Sequence, residues 1–285
     1  MHYKSQLTFK ERTFLLLTKL PWKFKKICPG YLRELDNTCL KITKMGGEII
    51  PHQNKLEVHF HGNKYILRVG STDFLVFDQV ILGKEYQPIV DLIKNRNKDL
   101  NKLNIIDAGA NVGFASLFFS YSFRDSLIIS LEPEKNNFQA LENNILINEK
   151  KGKIIPIEAG IWGKDAEMVL NHSFRDGREW SLNLTEANSK DSDNDKIKGY
   201  SLDSILSKQK IQKVDFLKID IEGGEKNLFD DWGTNINVFK LIKFIAIEIH
   251  DEIADRKLIN SMLKNNGFEI IEIGETTFGE NMNLL

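Results

Sequence analysis

The chain has 285 residues, of which 28% are charged and 41% are hydrophobic, and its formal net charge is −1. This balance excludes a disordered chain and argues against general nucleic-acid binding, because neutralising phosphates requires a surplus of Lys and Arg. The two cysteines, Cys28 and Cys39, exclude a disulfide-rich scaffold and a multi-cysteine zinc site, and we expect both to be reduced thiols.

Residues 1–30 form a basic arm in which seven basic side chains and one acidic side chain are interleaved with leucines and aromatic residues. Such a segment packs on its own domain or on a second subunit of a homo-oligomer, or it lies on an anionic membrane surface. The longest apolar run of the arm, 14–17, is far shorter than the roughly 20 residues that span a bilayer. We therefore expect a cytoplasmic protein without a signal peptide or a transmembrane helix.

Residues 31–100 form a β-rich and helical extension. Apolar and polar residues alternate over 56–60, and a second β-rich run covers 65–69. The dipeptide Gly62-Asn63 between the two runs predicts a β-hairpin. His59 and His61 fall on one face of the first predicted strand, where we expect exposed polar positions and no metal ion.

Residues 101–285 form the main predicted domain, in which apolar runs alternate with helical segments. The strands are predicted at 105–106, 127–131, 154–157, 214–219 and 241–249, and two of the helices at 114–121 and 135–148. Continuous apolar strands between helices are typical of an α/β fold with a parallel, Rossmann-like sheet covered on both faces. Ligands of such sheets bind beyond the carboxyl ends of the strands.

Polar residues and glycines follow each predicted strand, so we expect them to meet at one rim of the sheet. These groups are Asp107–Gly113, Glu132, Glu158–Gly160, Asp220–Gly224 and Glu248–His250. A single group of this kind is common by chance. Five groups in the same position relative to their strands favour a binding site.

The first of these loops distinguishes between cofactors. A dinucleotide fold has the spacing G-x-G-x-x-G, which directs backbone N–H groups at a phosphate. Here Asn111 lies between Gly109 and Gly113, and the loop begins with Asp107, an acid that repels a pyrophosphate. Glu132 is placed to accept hydrogen bonds from ribose hydroxyls. The combination indicates S-adenosylmethionine, which carries adenosine and an amino acid but no phosphate, and it disfavours a nicotinamide oxidoreductase.

Several motifs resemble those of FkbM-type methyltransferases, and their order and spacing make the resemblance specific. The matching residues are Asp107–Gly113, Ser116, Leu131–Pro133, Asn143, Asn144, Asn148, Ser201–Leu206, Lys218–Gly223, Glu225 and Glu248–His250, with a similar lead-in from Ser71 to Tyr86. The resemblance covers about residues 68 to 250. It implies a class I methyltransferase fold, S-adenosylmethionine as cofactor and usually O-methylation of a hydroxyl on varied acceptors, including natural products and sugars.

Seven residues of the rim are our candidates for holding the donor: Asp107, Gly109, Asn111, Gly113, Glu132, Ala159 and Asp220. The two glycines would let the backbone approach the methionine part of the donor, or they serve a tight strand-to-helix turn. Asp107 would face the cationic end, directly or through water, and Asn111 would orient the carboxylate or the loop. Glu132 would bind the ribose, and Ala159 would line the adenine pocket. Asp220 would contact the amino group of the donor or support the loop.

Methyl transfer to an alcohol needs a group that takes the hydroxyl proton, and the candidates are His250, Glu222 and Asp220. His250 comes first, as a base or as a residue that orients the acceptor, because its reference pKa of about 6.5 lies nearest neutrality. Its alternative role is to cap a following helix, predicted to begin near Glu252. These residues and Glu248 also offer hard metal ligands, but we expect no metal.

The irregular segment 171–198 supplies the acceptor-site candidates Arg175, Arg178 and Trp180, and its acidic run 191–195 is expected to be a solvated loop. We predict an S-adenosylmethionine-dependent O-methyltransferase with a small-molecule or carbohydrate acceptor and no nucleic-acid partner. The alternatives are an N-methyltransferase of the same fold and a catalytically silent donor-binding module.

Overall fold

The structure is a computed structural model that describes residues 4, 7, 12, 30–96, 102–149, 153–171, 183–186 and 196–284. The chain divides into two compact units, Met1–Glu85 with Asn143–Glu149, and Tyr86–Glu142 with Lys150–Leu285. The first unit therefore ends earlier than the predicted extension, which reached residue 100. Most of the basic arm lies outside the described residues, and its role stays a prediction. Among the helices that are described, none is both long enough and apolar enough to cross a bilayer.

The first unit contains the predicted hairpin. Its elements are α1 (Gly30–Lys44), β1 (Glu48–His52), β2 (Lys55–Phe60), β3 (Asn63–Arg68) and α2 (Asp73–Phe77), followed by a π-helical turn, Asp78–Leu82. The three strands form an antiparallel sheet in chain order. The turn falls at His61 and Gly62, whose φ angles are +48° and +77°, one residue before the predicted position. His61 thus lies in the turn, and only His59 lies on the strand, with its Nε2 2.6 Å from Glu57 Oε1.

Two asparagines bind the outer edge of β3. Asn144 Oδ1 accepts a hydrogen bond from Ile66 N at 2.7 Å, and Asn144 Nδ2 donates to Ile66 O at 3.3 Å. Asn148 makes the same pair of bonds with Lys64, at 3.1 and 2.6 Å. Since residues 64 and 66 turn their backbone groups to the same edge, the two amides complete a row of strand hydrogen bonds.

The second unit is built on a seven-stranded sheet. Its strands are β4 (Asn104–Ala108), β5 (Leu127–Leu131), β6 (Lys153–Ile157), β11 (Val214–Ile219), β12 (Ile242–Glu248), β13 (Phe268–Ile273) and β14 (Thr276–Asn281). They lie in the order β13-β14-β12-β11-β4-β5-β6. The five predicted strands are confirmed and run parallel. The sequence did not predict β14, which is antiparallel to both of its neighbours, or β13, which runs in the same direction as the five. This is the class I methyltransferase fold.

Helices connect these strands. They are α3 (Gln87–Arg96), α4 (Phe114–Ser122), α5 (Lys135–Leu146), α6 (Leu202–Gln209), α7 (Glu225–Thr234) and α8 (Arg256–Asn265). Adjacent residues of β11 show why the strands read as continuous apolar runs. Phe216 packs edge to face on Phe119 of α4, with ring centroids 5.2 Å apart, whereas Leu217 lies in a buried cluster with Phe229 of α7. Both side chains are fully buried, so both faces of the sheet are covered.

The described residues between β6 and α6 form a second sheet. It contains β7 (Gly160–Ile161), β8 (Ala166–Asn171), β9 (Asn183–Glu186) and β10 (Lys196–Tyr200), in the order β7-β10-β8-β9. Strand β9 and the start of β10 fall within the segment 171–198 that was predicted to be irregular. The acceptor candidates Arg175, Arg178 and Trp180 and the acidic run 191–195 lie outside the described residues.

We expect Asn144→Ala to lower the free energy of unfolding by about 1–3 kcal/mol, because it leaves the amide and carbonyl of Ile66 without their partner. Urea unfolding of the full chain measures this. The matched control is Asn143→Ala on the same helix, whose half-buried side chain should be replaced at little cost. Equal unfolding midpoints for the two variants would contradict the assigned role of Asn144.

Candidate active site

The loop between β4 and α4 is shaped by steric contact with its neighbours. Gly109 has a φ of +78°, and a Cβ at this position would lie 1.7 Å from the carbonyl oxygen of Asp220. Gly113 has a φ of +87°, and its Cβ would lie 2.5 Å from Leu141 Cδ1. Asn111 between them is also left-handed, at +50°. Only glycine fits at the two flanking positions, which confirms the tight turn. Contact of these residues with the donor stays a prediction.

Asp107 is fully buried beneath this loop and is bound by other residues of the chain. Its Oδ2 accepts a hydrogen bond from Ser116 Oγ at 2.6 Å, and its Oδ1 lies 3.2 Å from Lys218 Nζ. The predicted contact of Asp107 with the cationic end of the donor is therefore in competition with Lys218. The burial of Asp107 favours an indirect role, in which it fixes the loop that contacts the donor.

Lys218 is a site residue that the sequence analysis did not select. Its Nζ donates to Gly109 O at 2.8 Å and lies 3.4 Å from Asp220 Oδ2, so it joins the ends of β4 and β11. Burial lowers the pKa of Lys218, but the charges of Asp107, Tyr86 and Asp220 outweigh burial and raise it well above the ordinary value. The available signal was a lysine inside a largely apolar strand, two residues before the polar rim.

Glu132 lies at the end of β5 and is almost completely buried. Its Oε2 accepts a hydrogen bond from Asn111 N at 2.8 Å, and its Oε1 accepts one from Glu134 N at 2.9 Å. Burial nevertheless raises the pKa of Glu132 to about 7. Each carboxylate oxygen has a second lone pair, so the group is able to accept hydrogen bonds from two further donors, such as ribose hydroxyls.

These residues fit S-adenosylmethionine. Glu132 offers a buried carboxylate whose two hydrogen bonds come from neutral backbone amides, which suits a neutral diol better than a phosphate. At Gly109 any side chain larger than hydrogen would clash with Asp220, so no side chain covers the backbone of the loop at this position. Ala159 is fully buried just beyond β6, and its amide donates to Ile157 O at 2.9 Å. Contact between Ala159 and adenine stays a prediction.

The ends of β11 and β12 bring the three predicted catalytic residues into one cluster. His250 Nε2 lies 3.4 Å from Glu222 Oε2, and His250 Nδ1 lies 3.1 Å from Glu225 Oε1. Glu225 is fully buried, and its Oε1 also accepts hydrogen bonds from Ile221 N and Gly223 N. Glu225 therefore fixes both the turn after β11 and the imidazole ring. It was part of the sequence motif, but its partner 25 residues away was not predictable.

The environment of His250 differs from the one expected. Burial lowers its pKa, but the hydrogen bond and charge of Glu225 and the charges of Glu222 and Asp220 raise it to about 9. The cluster therefore favours the protonated imidazole, whereas the choice of His250 from the sequence rested on its reference pKa of about 6.5. The catalytic role itself stays a prediction.

The alternative role of His250 as a helix cap is not realised. The following helix, α8, begins at Arg256 and not near Glu252, and its N-cap is Asp255, whose side chain accepts from two helix amides. The carbonyl oxygen of His250 instead accepts hydrogen bonds from the amides of residues 253 and 254. His250 therefore ends β12 with a turn, and its side chain is left to the cluster.

A cavity of about 280 Å³ opens beside this cluster, just below the usual range of roughly 300–1,000 Å³ for ligand pockets. It is lined by Glu248, Ile249, His250, Asp251, Glu252, Arg256 and Glu275. Arg256 donates to Asp251 and to Ile249 O, so the one arginine of the wall is neutralised locally. The remaining wall is mainly acidic. Asp220, Glu248 and His250 could hold a metal ion, since their ligand atoms converge.

The family described as "Methyltransferase FkbM domain" matches residues 107–270. The chain is 21% identical over 192 residues to methyltransferase sdnD of Sordaria araneosa, which covers 58% of this chain and 73% of that protein. It is 20% identical over 182 residues to methyltransferase 1 of Beauveria bassiana, and the match covers 58% of this chain and 72% of that protein.

Solved structures with a related fold include the N-terminal domain of human METTL16, with a TM-score of 0.46 and 13% identity over 98% of this chain and 96% of that chain. Magnesium protoporphyrin IX methyltransferase from Synechocystis, solved with bound S-adenosylmethionine, has a TM-score of 0.41 and 11% identity. The match covers 75% of this chain and 84% of that chain. The family match covers more than half of the sequence, so the chain belongs to the FkbM methyltransferase family and is an S-adenosylmethionine-dependent methyltransferase.

Proposed function

We propose that this methyltransferase acts on a hydroxyl oxygen of a small molecule or a carbohydrate. The observation that carries the proposal is the cluster of His250 and Glu222 beside an acidic cavity. Carboxylates accept hydrogen bonds from hydroxyl groups and take up their protons, which an alcohol must lose as it becomes a nucleophile.

S-adenosylmethionine, when bound, supplies a methyl group on a positively charged sulfur. In our proposal Glu132 accepts hydrogen bonds from the ribose, and the loop of Gly109 and Gly113 holds the methionine part. Lys218 and Asp107 keep this loop in place from below. Orientation of this kind is a major part of catalysis in a displacement reaction, because both partners must be aligned before they react.

The acceptor proton would pass to the cluster at the ends of β11 and β12. Glu222 is half-buried and adjacent to His250, so it is our first candidate for taking the proton in the folded chain. His250 would orient the acceptor, or act as the base once its own proton has left. Asp220 would support the loop through Lys218 or contact the amino group of the donor.

The partners and the cellular location follow from the sequence analysis and stay predictions. The acceptor is small, nucleic acid is not a partner, and the protein is cytoplasmic. The basic arm contacts a membrane surface, its own domain or a second subunit.

We expect Glu132→Gln to weaken S-adenosylmethionine binding by about 10- to 100-fold, because hydrogen bonds to a charged carboxylate are lost and an amide N–H opposes a backbone donor. Isothermal titration of the full chain with the donor and with its demethylated product measures this. The matched control is Glu142→Gln, which removes an equal charge from an exposed position of α5. Unchanged donor affinity in Glu132→Gln would sink the assignment of the ribose contact.

The raised pKa of Glu132 makes donor affinity depend on pH. Below a pKa of about 7 the carboxyl group is protonated and loses its strength as an acceptor, so affinity falls as the pH falls. If only the ionised form binds, affinity rises about tenfold from pH 6 to pH 8. The ligand for this titration is 5′-methylthioadenosine, which has the ribose but no titrating amino acid. A flat profile in the wild type, equal to that of Glu132→Gln, would show that Glu132 is not responsible.

Turnover tests the acceptor class and the proton-accepting cluster together. A panel of hydroxylated and amine-bearing acceptors is incubated with donor that carries a ¹³C-methyl group, and the chemical shift of the product separates O-methyl from N-methyl. We expect O-methyl products, and we expect Glu222→Gln and His250→Asn to lower kcat by about 10²–10⁴-fold with little change in donor affinity. Glu269→Gln, at an exposed position of β13, is the control.

Products labelled only on nitrogen would replace the proposal with N-methylation. Donor binding without turnover on any acceptor, and unaltered by substitution of Glu222 or His250, would favour a silent donor-binding module.

A further inference from the structure

We propose that Asp220, Glu248 and His250 form a binding site for one divalent transition-metal ion. One ligand atom from each residue lies within 4.8 Å of the other two. Ligand atoms that bind one cation at metal–ligand distances of about 2.0–2.4 Å are separated by no more than about 4.8 Å. The three donors are therefore close enough to share an ion without a change of the backbone.

The ligand positions are fixed by the sheet. Asp220 directly follows β11, Glu248 is the last residue of β12, and His250 comes two residues later. The two strands are parallel neighbours, and the pair Ile219 and Ile247 sets their register. Because both isoleucines are fully buried, the strand ends are held by the core. A site on such elements is organised before its ligand arrives.

An independent observation concerns the orientation of the imidazole. Its Nδ1 lies 3.1 Å from Oε1 of the fully buried Glu225, which is itself held by the amides of Ile221 and Gly223. A histidine that binds a metal commonly gives its second ring nitrogen to a carboxylate in this way, which sets the tautomer and the ring plane. Glu225 is thus a positioning residue for the ring. The other nitrogen, Nε2, lies 3.4 Å from Glu222 Oε2, and the ion would take the place of its proton.

The local charge also favours a cation. Four carboxylates, those of Asp220, Glu222, Glu225 and Glu248, surround or adjoin the site. Lys218 is the cation that contacts Asp220, and it is shared with the fully buried Asp107. Carboxylates in a partly buried cluster repel one another strongly, and a divalent ion relieves this repulsion.

The site opens on the cavity, because Glu248 and His250 form part of its wall. Three protein ligands leave further coordination positions for water or for an acceptor, as in catalytic metal sites. Two carboxylates and one imidazole suit Mn²⁺ or Zn²⁺ better than Ca²⁺ or Mg²⁺, which prefer oxygen ligands alone.

The role of the ion rests on the proposed function. An acceptor hydroxyl bound to the ion would be more acidic, and its proton would pass to Glu222. The oxygen would form its bond to the methyl carbon while the bond from that carbon to sulfur breaks, and the electron pair would stay on sulfur. Glu222 is placed for this, since its Oε2 lies 3.4 Å from His250 Nε2.

The experiment is a Mn²⁺ titration of the metal-stripped, tag-free full chain, followed by the electron paramagnetic resonance signal of free Mn²⁺, with Zn²⁺ as competitor. We expect one ion per chain, displaced by Zn²⁺. Glu225→Gln should weaken binding by about 10- to 100-fold, the range for outer-shell partners, and Asp220→Asn, Glu248→Gln and His250→Asn by at least that much. Glu269→Gln should bind as the wild type does.

Unfolding midpoints and the affinity for 5′-methylthioadenosine verify that each variant is folded. If His250→Asn does not fold, Glu248→Gln replaces it as the ligand variant. The proposal is overturned if the wild type binds no Mn²⁺ or Zn²⁺, or if binding survives in the folded ligand variants. These results are independent of the methyl acceptor. Binding of Mn²⁺ without any methyl transfer would refute the proposed function and leave the metal site. Methyl transfer by a chain that binds no metal would refute the metal site and leave the proposed function.

Discussion

The buried ammonium group of Lys218 is the interaction on which the active rim depends. It contacts Asp107 and Asp220 and donates to the carbonyl oxygen of Gly109, so it joins the ends of the two central strands beneath the donor loop. An uncompensated charge in this position would be costly, and removing one partner of a buried ion pair typically costs several kcal/mol. The lysine and the two aspartates therefore have to be considered as one unit.

The donor loop and the acidic turn after β11 are also in direct steric contact. Gly109 lies so close to the carbonyl group of Asp220 that a single added carbon atom would overlap it. The turn continues through Glu222, which has a left-handed φ of +52°, to Glu225, which holds it from within the core. The donor side and the acceptor side of the rim are thus two separate segments in direct backbone contact, so a shift of either displaces the other.

Much of this architecture could be predicted from the sequence. The five parallel strands were placed within one or two residues, because a strand buried on both faces leaves a continuous apolar run. The edge of the sheet was missed for the opposite reason. Strand β14 has the polar sequence TTFGEN, yet all six residues are buried. Glu280 lies 3.5 Å from Arg96, and Asn281 donates to two backbone carbonyls, so polar partners distant in sequence make this burial tolerable.

The residues of the site were largely predicted from the sequence, but most of the contacts between them were not. Residues after the strands had to meet at one edge of a parallel sheet, so Glu132, Asp220 and His250 could be placed together. Their partners could not be read from the sequence, since Lys218 and Gly109 are 109 residues apart and His250 and Glu225 are 25 apart. The pKa of His250 depends on those contacts, so the sequence supplies only its reference value.

The asparagine pairs on β3 have a consequence for the behaviour of the chain at high concentration. An open strand edge offers a row of amide and carbonyl groups to any other strand, and it is a common starting point for aggregation. Asn144 and Asn148 occupy the groups of residues 64 and 66 on this edge. A second molecule would have to displace four hydrogen bonds before it could extend the sheet there, so the helix end acts as a guard against intermolecular β-sheet growth.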